Sequence, residues 1–199
     1  MDKEKIEQNK AEFLNLIDSI GRLSKEDVEY IKSYIVNTDF FFAPASARYK
    51  GSYPGGLCEH SLNVYYNLVR LYETFAFDID GGDFDSLKIV ALFHDIGKIR
   101  TFRQEMKSKK VYDSNGNSKW VEYIGYSIDD SESVGTEEEN SAYIASTIIP
   151  MTKYEYTAIL NHKGFFNGDS SVAKTIEKFK SNKLAEYLFF ANQMDMFNE

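Results

Sequence analysis

Apolar residues recur at steps of three and four along most of this chain, a period that commits it to helices packed through one face. Over residues 3–20 the spacing is carried by Ile6, Phe13, Leu14, Ile17 and Ile20, with Gly21 as the expected stop. Ser24 and Asp27 form a capping-box pattern, after which Val28, Ile31 and Ile35 repeat the spacing. Further helices are predicted over about 57–75 and 84–96. Thr136 with Glu139, and Thr152 with Glu155, mark two more helix starts, the second for a helix ending near His162. A basic amphipathic segment at about 171–181 precedes a last helix from about residue 183.

The period breaks twice. Residues 40–56 read FFFAPASARYKGSYPGG, a loop rich in glycine and proline. Between residues 107 and 128, Val111-Tyr112 and Trp120-Val121-Glu122-Tyr123 flank Ser114-Asn115-Gly116-Asn117, a turn signal that predicts a β-hairpin. The expected fold is therefore mainly α, a helical bundle with a small hairpin insertion at about 107–128. No linker-like tract divides the chain. Residues 1–37 read as N-terminal helices packing on a core domain formed by 38–199, and 199 residues suit such an arrangement.

Composition narrows the function classes. With 43% hydrophobic and 27% charged residues the chain is outside the disordered class. A net charge of −8 argues against broad affinity for nucleic acid, so no stable long nucleic acid partner is expected, although a local basic groove stays open. The single cysteine excludes an internal disulfide framework and fits a reducing cytosol. MDKEKIEQNK is too charged for a signal peptide, and no apolar run approaches a membrane span, so a cytoplasmic chain without a membrane partner is expected.

The three histidines carry the chemical signal. His60 lies on one helical stripe with Val64, Leu68 and Leu71. His94-Asp95 ends an apolar stretch containing Leu87, Val90 and Ala91, and Gly97-Lys98 follows directly. A carboxylate on a buried stripe must be paired or bound to metal. One such histidine alone is more often a satisfied core residue. Two imidazoles and a carboxylate on consecutive antiparallel helices make a nitrogen and oxygen set suited to Mn, Fe, Zn or Ni.

Three ordered segments extend this reading: Gly55-Gly56-Leu57-Cys58-Glu59-His60-Ser61, Ala91-Leu92-Phe93-His94-Asp95-Ile96-Gly97-Lys98, and Ala158-Ile159-Leu160-Asn161-His162-Lys163-Gly164. Together they resemble the HD superfamily of metal-dependent phosphohydrolases. With Ala43-Pro44-Ala45-Ser46 before them, they are most similar to stand-alone HD hydrolases of Gram-positive bacteria and phages, and to the HD module of YhaM-type 3′→5′ exoribonucleases. The resemblance covers about residues 38–197. It implies an HD-domain helical bundle in which His60, His94 and Asp95 bind a divalent metal, His162 faces phosphate or a second metal, and Lys98 steadies substrate phosphate.

The family's distal aspartate falls in a motif resembling L-x-x-A-D, and here that place reads Leu188-Phe189-Phe190-Ala191-Asn192. Asn192 can offer its amide oxygen, and Asp195, three residues on, can replace it. A family segment resembling HGENS reads Glu137-Glu138-Glu139-Asn140-Ser141, so Glu137 stands where a histidine is usual. Its carboxylate is either an oxygen ligand, favouring harder metals such as Mn or Mg, or a complement to the helix N-terminus. Lys50 occupies a place where look-alikes often carry histidine.

The resemblance implies an enzyme hydrolysing a phosphoester of a nucleotide or short oligonucleotide, with Asp95, Lys98 and His162 as catalytic candidates. A catalytically impaired HD-fold protein that binds nucleotide or a partner is the competing expectation, motivated by Asn192 and Glu137. Lys107, Lys109 and Lys110 read as a solvated edge that can also guide a phosphate substrate. The oligomeric state is not legible from these residues.

Overall fold

In the computed structural model, described for residues 1–77, 83–114, 116–129, 131, 135–166 and 171–197, eight α-helices surround a common core and one hairpin leaves it. In chain order they are α1 (Lys3–Asp18), α2 (Lys25–Val36), α3 (Gly56–Phe75), α4 (Phe84–Phe93), β1 (Phe102–Tyr112), β2 (Ser118–Ile128), α5 (Glu137–Ile148), α6 (Lys153–Leu160), α7 (Val172–Ser181) and α8 (Lys183–Phe197). The mainly helical class expected from the periodicity is the class observed.

Helix α4 is the central element. Residues Ser86 through Phe93 are all buried, so it is covered on every side, and α3, α6 and α8 pack around it. Asp83 and Ser86 form the capping box that starts it. Phe13 of α1 meets Phe40, Phe41 and Phe93 at ring separations of 4.9–5.9 Å, tying α1 and the loop before α3 to the same core. Glu155 of α6 is fully buried. It receives Ser86 Oγ at 2.5 Å and Arg22 Nη2 at 2.6 Å, which fastens α6 to the start of α4 and to the α1–α2 turn.

Three boundaries differ from expectation. Helix α1 ends at Asp18 rather than near Gly21, because Ser19 caps it and returns its hydroxyl to the Leu16 carbonyl at 2.7 Å. The segment expected as helix to residue 96 stops at Phe93, and after His94-Asp95 a 3₁₀ turn spans Ile96–Lys98. The hairpin is longer than 107–128. Its ladder begins at Phe102↔Ile128 and runs to Tyr112↔Ser118. Residues 102–106 were unreadable as strand because both faces there are largely exposed and the alternation is not one of apolar against polar. At the tip, Gly116 adopts φ +81° and Asn117 N–H donates to Asp113 Oδ1; Asn115 of the expected turn lies outside the described residues. So does most of the acidic stretch between Asp129 and Gly135.

Candidate metal centre

Four local features place the histidines together. The loop after Phe42 returns on itself with Gly51 packed against the start of α3: a Cβ on Gly56 would lie 2.1 Å from the Gly51 carbonyl oxygen. Glycine at 56 therefore lets Lys50 sit beside the helix that carries His60. The 3₁₀ turn after α4 keeps Asp95 and Lys98 on one side, their side chains 2.7 Å apart. A Cβ on Gly97 would meet the Glu137 carbonyl and Ser141 at 2.8 Å, so this glycine permits α5 to abut the turn and bring Glu137 near Lys98. Helix α6 ends at Leu160, and His162 follows it with its N–H bonded back to Ile159.

The resulting cluster is compact and dry. His60, His94, Asp95 and His162 are each at most 8% exposed. His60 Nε2 lies 3.1 Å from His94 Nε2 and 3.3 Å from Asp95 Oδ2, and His94 Nε2 lies 3.5 Å from the same oxygen. His162 Nε2 lies 3.2 Å from Asp95 Oδ1. Asp95, Glu137 and His162 form a second group of possible ligands, so Asp95 is shared by both groups.

Hydrogen bonding decides which ring nitrogens face the centre. His94 Nδ1 donates to the Ala91 carbonyl at 2.9 Å, and His162 Nδ1 to the Ile159 carbonyl at 2.7 Å. His60 Nδ1 meets Asp195 Oδ2 at 2.6 Å. With the three Nδ1 atoms facing oxygen acceptors, the three Nε2 atoms turn toward the Asp95 carboxylate, those of His60 and His94 to Oδ2 and that of His162 to Oδ1, an arrangement able to hold a cation. Separations of 3.1–3.5 Å are also those that bonds of about 2.0–2.2 Å to one ion would give at angles between a right angle and the tetrahedral value. Asn192 Oδ1 is buried and makes no hydrogen bond, and Asp95 Oδ1 and Glu137 Oε1 are buried with ion-pair contacts alone, to His162 at 3.2 Å and Lys98 at 3.3 Å. The donor set therefore fits a divalent metal.

The electrostatics agree. Burial drives His94 down to about 3, so its ring is neutral and ready to ligate at physiological pH. For His60 burial opposes protonation, but Asp195 and Asp95 outweigh it and raise the pKa: the centre favours positive charge. Burial likewise works against ionised Asp95, yet the Lys98 ammonium, the largest opposing influence, holds it well below the usual carboxylate range. Lys98, also opposed by burial, is kept charged by Asp95 and Glu137.

Asp195 meets the Nδ1 side of the His60 ring, away from the Nε2 that faces His94 and Asp95. Its carboxylate also accepts from Asn63 at 2.9 Å and Lys50 at 3.1 Å. It therefore orients His60 from behind, whereas Asn192, buried on the same helix and lining the same cavity, keeps its oxygen unspent. Glu137 lies between two lysines, 3.3 Å from Lys98 and 3.4 Å from Lys163. Reasoning from the residues alone missed Asn63 and Lys163. The former stands three places after His60 on its helix and the latter adjoins His162, so spacing was the available signal.

His60, Asp95 and His162 line a cavity of about 940 Å³ together with Tyr49, Tyr53, Phe102 and Tyr126 and with Lys50, Lys107 and Lys163. A family model described as HD domain matches residues 57–178, more than half of the chain and inclusive of His60, His94, Asp95, Glu137 and His162. No curated protein and no solved structure matches the chain. Among the described residues, no helix is long and apolar enough to cross a membrane.

Proposed function

The chain belongs to the HD domain family, and on that premise we propose that it is a cytoplasmic, metal-dependent phosphohydrolase acting on a nucleotide or short oligonucleotide phosphoester. The observation that carries this reading is the convergence of three histidine Nε2 atoms on Asp95, each within 3.2–3.5 Å of one of its oxygens. His60, His94 and Asp95 would hold the ion, with Asn192 completing the set through its amide oxygen and Glu137 as a further oxygen donor. Mn, Fe, Ni, Zn and Mg are the candidates by donor type. We read residues 1–37 as helices packed on a domain formed by 38–199.

A divalent ion held there supplies Lewis acidity toward a phosphate oxygen and acidifies water at neutral pH. The protein's own groups divide the remaining work. Asp95 holds a full negative charge and can orient an attacking water through Oδ1, the oxygen without a hydrogen bond. His162 presents its Nε2 at 3.2 Å from that oxygen, placed to move a proton. Lys98 supplies fixed positive charge to offset charge developing on phosphate. Lys50 and Lys163 in the cavity lining attract the anionic substrate.

The test is a panel of mononucleotides, linear and cyclic dinucleotides and short oligonucleotides, offered to protein loaded with each candidate metal in turn. The reading predicts phosphate or nucleotide release in at least one metal form and none with chelator. Metal uptake without turnover of any member would instead favour a nucleotide-binding protein.

A further inference from the structure

The hairpin is an arm. Eleven residues in each strand extend it about 34 Å, and its two strands pack chiefly on each other. From Arg103 to Ile124 every described residue is exposed or half-buried. A two-stranded ribbon this open is at most marginally stable in water, so an unpartnered face on it calls for a ligand.

Both faces reach the cavity at the base of the arm. Phe102, Tyr126 and Ile128 line the cavity wall on one face, which continues outward through Met106↔Ile124 and Lys110↔Trp120 to Tyr112, while Glu105, Lys107 and Ser127 bring the opposite face to the same wall. Met106, Ile124, Trp120 and Tyr112 are 64–70% exposed. The arm also reverses the charge of the chain: residues 102–128 hold five basic and three acidic side chains in a protein of net −8. Arg103 pairs with Asp129, and Lys107 with Glu105, at the base. Farther out, Lys110 shares the face of Trp120 and lies 5.5 Å from the Tyr112 ring, while Lys109, 5.4 Å from the Tyr123 ring, and Lys119 lie on the opposite face. Among the described residues, none of these three lysines forms an ion pair.

We propose that this arm binds single-stranded nucleic acid and feeds its end into the cavity, so that the substrate is an oligonucleotide long enough to lie along the ribbon. The inference rests on the phosphohydrolase reading for what happens in the cavity. Exposed flat rings on one face take up bases, while Lys110 beside them and the lysines of the opposite face offer charge to the phosphates, each stacked base being worth on the order of tenfold or more in affinity. An acidic protein surface would satisfy the lysines but not the rings. A second copy would bury the rings but leave unexplained why their face runs into the cavity.

Trp120 is the one tryptophan of the chain, so its emission reports directly on the arm. A single-stranded dodecamer added to the metal-loaded protein should quench it, and bind at least tenfold more tightly than a dinucleotide, with affinity falling steeply as salt rises. With a labelled dodecamer read by anisotropy, Trp120→Ala should weaken binding on the order of tenfold and Trp120→Tyr, which keeps a ring, should restore most of it. The combined Lys109→Ala, Lys110→Ala and Lys119→Ala variant should flatten the salt dependence. The proposal is overturned if the dodecamer leaves Trp120 emission unchanged, or if its affinity equals that of the dinucleotide. It is equally overturned if Trp120 emission follows protein concentration instead, which would assign the face to a second copy. Turnover of bis(4-nitrophenyl) phosphate by the wild-type protein reads the cavity without the arm. Turnover with no dodecamer binding sinks the arm alone, and dodecamer binding with no turnover sinks the phosphohydrolase reading alone.

Discussion

Asp95 is the one carboxylate common to both groups of possible ligands, and each of its neighbours acts through it or around it. Asp195 illustrates the second kind. Its contact with the Nδ1 of His60 fixes which nitrogen that ring presents, and partners of this sort typically carry about 10–100-fold in metal affinity. Asp195→Ala should weaken Mn binding by that order in a calorimetric titration, whereas Asn192→Asp should tighten it by adding a charge. If Asp195→Ala leaves the titration unchanged and Asn192→Ala abolishes metal uptake, the two residues have simpler roles than the geometry gives them. His60, His94 and Asp95 were legible in the residues because buried stripes ending in polar groups are rare. The division of labour between Asn192 and Asp195 was not, because it depends on which oxygen Lys50 and Asn63 occupy, and these lie more than a hundred residues away in sequence.

The elements that hold the centre make their own predictions. Glu155 fastens α6, and with it His162, to α4. Glu155→Ala should cost about 2–3 kcal/mol in urea unfolding, less than for a fully buried pair because Arg22 keeps part of its side chain in water. Asp85 does similar work at the α1–α2 turn. Burial opposes its ionisation, but Lys88 and the backbone N–H groups of Arg22 and Gly21 prevail and lower its pKa. A lowered carboxyl stabilises the fold above its unfolded value of about 3.9 and loses that contribution as pH falls through the folded value. The urea midpoint advantage of wild type over Asp85→Asn should therefore be constant near neutrality and shrink below about pH 4. An advantage independent of pH would show that the charge is not what matters. Periodicity and capping boxes announced α2, α5 and α6 because those signals are local. They could not announce the stop at Phe93, where Asp95 leaves helical geometry at φ −111°, ψ 16° and the chain tightens into the 3₁₀ turn. Nor could they show that Gly97 is needed for α5 to approach.

At the scale of the molecule, helices from distant parts of the chain meet at the candidate ion site, so metal binding and folding should be linked. Metal at a hundredfold excess over its dissociation constant should add about 2.7 kcal/mol, seen as a concentration-dependent rise in Tm that His94→Ala removes. A Tm indifferent to every candidate metal would deny the site. The same convergence underlies the catalytic account, whose central claim is that Asp95 acts on the phosphoester as well as on the ion. The most direct measurement is the rate of phosphoester hydrolysis by wild-type and Asp95→Ala protein, each compared at saturating Mn. The account predicts turnover by wild type and a loss on the order of a hundredfold or more for Asp95→Ala even when metal is saturating. Equal rates for the two proteins, or no turnover by the metal-saturated wild type, would contradict it.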